Sequence, residues 1–147
     1  MSDTVSVSIT QRSNYQFVVN FGNSIPELQG DEPAPLGTDD GPSPNQLLLA
    51  AVANCLSSSL FFALSKYKQD AGGITATATA RIDRNDNKRL RIQEIVVNIR
   101  LGKRQAELTH LDRIRTQFED FCTVTESVRS GIPVTVEVSD SDGETVN

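Results

Sequence analysis

The sequence holds two cysteines, Cys55 and Cys122, and a single histidine, His110. A thiolate is a nucleophile and can be oxidised reversibly to a sulfenic acid or a disulfide, so two cysteines can run a redox cycle without a cofactor. With one histidine beside them there is no spacing that builds a zinc site, and two thiols in a reducing compartment are not a disulfide framework. The ordinary role of a lone helical cysteine is that of a small buried hydrophobe. Around Cys55, however, the sequence turns polar at Asn54 and Ser57 to Ser59, and Ser58 and Ser59 fall on the same helical face as the thiol at i+3 and i+4. Cys122 precedes Thr123-Val-Thr-Glu126, a pattern that fits a capping box with Thr123 as N-cap and Glu126 reaching back. A thiol beside a helix amino terminus is favoured as thiolate. The cysteines lie 67 positions apart, so they meet only if the short helix after Cys122 docks on the long helix that carries Cys55. His110, beside Thr109, reads as a surface histidine rather than a base.

Several elements must position these residues. Alternating Val5, Val7 and Ile9 in Thr4 to Thr10, and a second β-rich run from Tyr15 to Phe21, predict a hairpin. From Gln29 to Pro44 the chain carries four prolines and three glycines, a density that predicts a wrapping loop. Ser43 then offers an N-cap and Pro44 a preset first helical residue, so a helix should run from there to about Lys68. Its first turns are nearly all apolar. "ITATATARIDR" from Ile74 and "LRIQEIVVNIRLG" from Leu90 predict a second hairpin across Asn85 to Lys88, the first strand with a small inner row of alanines suited to close packing on a helix. An amphipathic helix is expected from about Gln105 to Phe121, then a short helix through Val128, a stop at Gly131 and a strand from Ile132 to Val138. The order is that of an α+β chain with five strands. A single domain over residues 1–138 is expected, followed by an acidic, disordered tail over 139–147.

Charge and hydropathy exclude other classes. The formal charge is −5, with 14 basic residues scattered among 19 acidic ones, which argues against a nucleic-acid partner. The basic run Arg81, Arg84, Lys88, Arg89 and Arg91 reads as the solvated face and turn of a hairpin. The longest apolar run, Leu47 to Ala53, is short of a bilayer span, and no secretory signal is evident at the amino terminus, so a cytoplasmic protein without a membrane partner is expected. A helix apolar all round must be covered on every side, and five short strands with one other helix barely manage that, which suggests a dimer that buries two such helices against each other.

The stretches "GPSPNQLLLAAVANC" and "FCTVTESVRSGIPVTVEV" resemble the OsmC/Ohr family of thiol-dependent hydroperoxide reductases, over about Val5 to Val138. The resemblance rests on the Gly-Pro-Ser-Pro opening, the Leu-rich helix ending in a cysteine, and a second cysteine opening a short helix before a final strand. It implies an intertwined homodimer, with antiparallel sheets wrapped around two long central helices and active sites at the interface. It implies that Cys55 is the peroxidatic cysteine, attacking the O–O bond of a hydroperoxide substrate, and that Cys122 is the resolving cysteine, the disulfide being reduced by an external dithiol. No metal or cofactor is implied. Family members use an arginine from the amino-terminal hairpin region, for which Arg12 is the local candidate, held by a carboxylate near the start of the long helix. Here the sequence departs from the hydroperoxide-resistance pattern, because Pro44 is followed by Asn45 and Gln46 where a glutamate is expected. Asn45 or Gln46 could bond a guanidinium without charge assistance, or Glu32 could supply a carboxylate from the loop. A second departure, Thr123 where proline is frequent, substitutes a capping residue for a rigid start. The expected activity is reduction of organic hydroperoxides, the small apolar residues around the helix suiting an alkyl or acyl substrate. The alternative is a non-catalytic or redox-sensing protein that holds an apolar ligand in the interface pocket.

Overall fold

Residues 2–147 are described by a computed structural model, in which the chain forms two compact units that divide between Leu48 and Leu49. The first unit holds an antiparallel three-stranded sheet, β1 (Ser8–Ser13), β2 (Gln16–Asn20) and β3 (Leu28–Gly30), in that order. The expected hairpin is present, with Ser13 opposite Gln16 and Asn14 in the left-handed region at φ 51°. Its first strand begins at Ser8 rather than Thr4. The third strand is a departure from the sequence reading, which placed Gln29 and Gly30 in the loop. Pairing of Phe17 with Gly30 and Val19 with Leu28 extends β2 on its other edge, a long-range gain that local breaker density does not reveal.

Asp31 orders the proline-rich loop. It is 2% exposed, and its carboxylate accepts from Thr38 Oγ1 at 2.6 Å, from the Glu32 amide at 2.7 Å and from the Asp40 amide at 3.1 Å. The Thr38 hydroxyl, helped by those backbone amides and opposed by burial, lowers its pKa from 3.8 to about 2. Gly37 passes so close to this cluster that a Cβ there would run into the Glu32 carbonyl oxygen and Asp31 Oδ1.

The long helix α1 spans Pro44–Lys66. Its start is the one the sequence predicts: Ser43 Oγ accepts from the Gln46 amide at 3.2 Å, and Gln46 Oε1 accepts from the Ser43 amide at 2.9 Å, a reciprocal capping box. By length and apolarity alone, 23 residues with a mean hydropathy of 2.0 over its best window, α1 could cross a bilayer, which the apolar run Leu47 to Ala53 did not suggest. Val52, Leu56, Leu60 and Leu64 nevertheless form a stripe four residues apart that is buried in the core of the second unit.

That core lies against a second sheet, β4 (Ile74–Arg84), β5 (Leu90–Leu101) and β6 (Val134–Ser139), in which β4 and β5 are antiparallel and β6 runs parallel to β5. Ile95, Val97, Ile99 and Leu101 alternate inward from β5, and Val134, Val136 and Val138 from β6. The alanines of β4 are half-buried. A parallel neighbour requires a crossover, and residues 102–133 supply it. The single helix expected over Gln105 to Phe121 is instead three pieces: a 3₁₀ turn at Gln105–Glu107, α2 (Leu111–Gln117) and a second 3₁₀ turn at Phe118–Phe121. The break has its cause outside the segment. His110 adopts φ 63° and stacks on Tyr67 with ring centroids 4.9 Å apart, while the Thr109 amide donates to Gln69 Oε1 at 2.9 Å, so the backbone is drawn to the end of α1 instead of into a helix.

A third helix, α3 (Thr123–Arg129), leads into β6. The acidic composition past Val138 suggested disorder, yet Ser139 bridges to Thr145, the Val146 amide donates to Val138 O at 2.8 Å, and Val146 is buried. Asp140 explains the turn: its carboxylate accepts from the amides of Gln105, Asp142 and Glu144, which lower its pKa.

Candidate active site

Within the second unit, α1 carries Cys55 half-buried on its flank, and the turn between Phe121 and α3 carries Cys122 fully buried. The two thiols are free, and Cys55 lies near enough to Cys122 to act on it directly. Burial first, and then the adjoining Cys55 thiol, push the Cys122 pKa above its ordinary value. This corrects the sequence expectation for Cys122, whose place ahead of a helix suggested a favoured thiolate. The capping box does not form either. Cys122 itself is the N-cap, its carbonyl accepting from the Glu126 amide at 3.0 Å, and the Glu126 carboxylate pairs with Arg129 instead of reaching back. Thr123 is therefore the first helical residue and is exposed.

The residue that sequence reasoning missed is Thr125. It has no solvent exposure, and the Cys122 thiol donates to its Oγ1 at 2.9 Å. The i, i+3 spacing was visible, but a threonine in the first turn of a short helix gives no sign of which way it faces.

An ion-pair network fixes the turn that holds Cys122. Glu119 gives its backbone carbonyl to the Cys122 amide at 3.0 Å, and its carboxylate accepts from Arg115 Nη1 at 2.8 Å and Arg129 Nη2 at 2.7 Å. Arg115 also donates to Val136 O at 2.7 Å and Arg129 to Val134 O at 3.1 Å. Two arginines thus tie the cysteine turn to β6 through one shared carboxylate, each guanidinium serving a carboxylate and a backbone carbonyl. One turn beyond Cys55 along α1, Ser59 is buried and Ser58 exposed. His110 is occupied by its stack on Tyr67.

The other sequence candidates lie in the first unit. Arg12 Nη1 donates to Gln29 Oε1 at 2.7 Å, and Gln29 Nε2 donates in turn to the Asp40 carboxylate at 3.0 Å. The guanidinium is therefore held by an amide that a carboxylate polarises, and neither Gln29 nor Asp40 was singled out in the sequence. Gln46, a candidate partner for Arg12, spends its side-chain oxygen on the Ser43 amide. Asn45 is exposed in the first turn of α1. Glu32 lines a cavity of about 320 Å³ with Ile9, Tyr15, Phe17, Val19 and Leu47, an apolar lining broken only at its Asp31 and Glu32 end.

No curated protein matches this sequence. Solved structures with the same fold include an OsmC-like protein of unknown function from Vibrio cholerae, 15% identical, covering 93% of this chain and 99% of its own, with a TM-score of 0.78. An organic hydroperoxide resistance protein from Elizabethkingia anophelis is 20% identical over 96% of this chain and 100% of its own, with a TM-score of 0.73. The organic hydroperoxide resistance protein OhrB of Bacillus subtilis is 14% identical over 90% and 97%, with a TM-score of 0.68. At these identities the likeness is one of fold. The family model described as OsmC-like protein matches residues 37–137, a span that runs from the proline-rich loop through both cysteines to β6, and on that match the chain belongs to the OsmC-like protein family.

Proposed function

We propose that this chain is a thiol-dependent peroxidase that reduces organic hydroperoxides, with Cys55 as the peroxidatic and Cys122 as the resolving cysteine. The observation that carries the reading is the meeting of two thiols 67 positions apart, one half-buried and one enclosed. Such a pair suits a cycle with two steps. The Cys55 thiolate attacks the distal oxygen of the hydroperoxide, the O–O bond breaks, an alcohol leaves with a proton, and Cys55 becomes a sulfenic acid. Cys122 then attacks that sulfur, forming the disulfide and expelling water, and an external dithiol restores both thiols by exchange. No metal or cofactor is required. The named activity of the Elizabethkingia anophelis and Bacillus subtilis neighbours supports the same direction. The thiols must be kept reduced between turnovers, which the cytoplasm provides.

In this reading Arg12 takes the part of the arginine that the family resemblance implies, and the Gln29 to Asp40 relay replaces the family carboxylate missing at Asn45. Glu32 and Gln46 serve the loop and the helix start. The working form is a homodimer, because Phe61 at 65% and Phe62 at 55% exposure leave an aromatic flank of α1 uncovered in one chain. A second reading is favoured by the missing carboxylate and by the apolar cavity of the first unit: a redox-sensing or ligand-holding protein with a slow thiol.

Consumption of cumene hydroperoxide by the reduced protein separates the two. The peroxidase reading expects rapid consumption, slower with hydrogen peroxide, abolished in Cys55→Ser and stalled after one turnover in Cys122→Ser. Wild-type protein no faster than free thiol would leave the second reading standing.

A further inference from the structure

The Thr125 hydroxyl is enclosed, and among the described residues its side-chain hydrogen-bond partner is Cys122 Sγ, at 2.9 Å. A buried hydroxyl is costly to place unless it is bonded, and a thiol is a weak partner. Valine would fill nearly the same volume with no polar atom to satisfy, so the hydroxyl contributes little to folding that a methyl would not. Its contribution falls instead on the state of the sulfur. With Cys122 protonated, the thiol donates to Oγ1. Once the thiol proton has left, the hydroxyl turns and donates to the sulfur, which is the stronger bond because the acceptor is then charged.

We propose that Thr125 is the hydrogen-bond donor that holds Cys122 as the attacking thiolate in the step that closes the Cys55–Cys122 disulfide. This rests on the peroxidase reading of the pair. In that step the Cys122 sulfur forms a bond to the Cys55 sulfenic sulfur and the S–O bond breaks. The departing hydroxide leaves as water, carrying in sum the proton that Cys122 gave up. Burial and the neighbouring thiol both oppose formation of the Cys122 thiolate, while the Thr125 hydroxyl favours it. Both groups that favour the thiolate against burial are neutral donors of Thr125, the hydroxyl first and then the backbone amide, and the amide is retained in every variant at this position. The same bond makes Cys122 the better leaving group when an external dithiol opens the disulfide, which directs that attack to the Cys55 sulfur.

Single-turnover kinetics with one equivalent of cumene hydroperoxide test this in wild type, Thr125→Val, Thr125→Ser and Thr125→Ala. Trapping of the Cys55 sulfenic acid is followed alongside disulfide formation across neutral to alkaline pH. Thr125→Val is expected to form the sulfenic acid at the wild-type rate and to close the disulfide roughly tenfold more slowly at neutral pH, its pH midpoint raised by about one unit. Thr125→Ser restores both, and Thr125→Ala stands in for valine if the latter does not fold. Closure at the wild-type rate and midpoint in either variant overturns the proposal. Should wild type form no sulfenic acid at all, the peroxidase reading fails by itself. Ultraviolet thiolate titration of Cys122 in a Cys55→Ser background then decides the Thr125 bond separately: a midpoint that Thr125→Val does not raise rejects it.

Discussion

Buried acids with opposite shifts shape how this chain responds to pH, Asp31 and Asp140 at the acid end and Cys122 at the alkaline end. Asp31, whose carboxylate gathers the Thr38 hydroxyl and three backbone amides, titrates at about 2 when folded against an ordinary 3.8. Its contribution to stability is complete above the ordinary value and is lost as pH falls from there through about 2, because the unfolded chain takes up the proton first. Cys122 is shifted the other way, so its contribution is complete below the ordinary thiol value of 9.0 and is lost as pH rises beyond it. Urea midpoints measured from acid to alkali should therefore fall at both ends. Asp31→Asn should make the acid limb shallower, Asp140 retaining its own share, while lowering the midpoint at neutral pH, since an amide cannot accept from all those donors. Cys122→Ser should flatten the alkaline limb alone. An unchanged acid limb in Asp31→Asn would mean that the loop is not held by this carboxylate. Asp31 was not legible as an anchor in the sequence, where it is one acid in a loop rich in them, and Cys122 was read as a favoured thiolate because the burial and the Cys55 neighbour that raise its pKa come from elements far along the chain.

What was legible belongs mostly to the elements. Ser43 and Pro44 are adjacent, so the start of α1 could be read directly, though not the share of Gln46 in its cap, and the alternation in β4 and β5 revealed their hairpin. Gln46→Ala should remove one half of the capping box and lower stability by about 1 kcal/mol, measured by urea denaturation, with Gln46→Glu restoring it. A loss much larger than that would assign Gln46 a role outside the cap. The failures share a cause. β3 exists because β2 has an edge to fill, the helix after Gln105 breaks because Gln69 draws off the Thr109 amide, and Cys122 replaces Thr123 as the cap because Glu126 is taken by Arg129. Each is decided by a partner outside the local stretch, where periodicity and propensity carry no information. The turn after Val138 follows the same rule, its acidic residues ordered by the amides around Asp140.

For the molecule as a whole, α1 is the element that a single chain leaves incomplete. One stripe of it is buried, while Phe61 and Phe62 stand exposed on a helix with almost no charge along its length. Phe121, itself exposed, tilts against Phe62 at 6.4 Å with Lys66 over its ring, so the aromatic surface continues to the turn before Cys122. Equilibrium sedimentation should give a dimer for wild type and a monomer, or aggregation on dilution, for Phe61→Glu. A monomeric wild type would remove the reason for that apolar flank. The family assignment and the fold were reachable from the sequence because the opening of α1 and the Cys122 segment are contiguous stretches. The chemistry needs the meeting of the two.

That meeting is tested most directly by treating the reduced protein with one equivalent of cumene hydroperoxide and mapping the cross-linked peptides by mass spectrometry. The account predicts a Cys55–Cys122 disulfide within each chain, formed as the peroxide is consumed and absent from Cys55→Ser. Consumption without that bond, or full retention of both thiols, would contradict it.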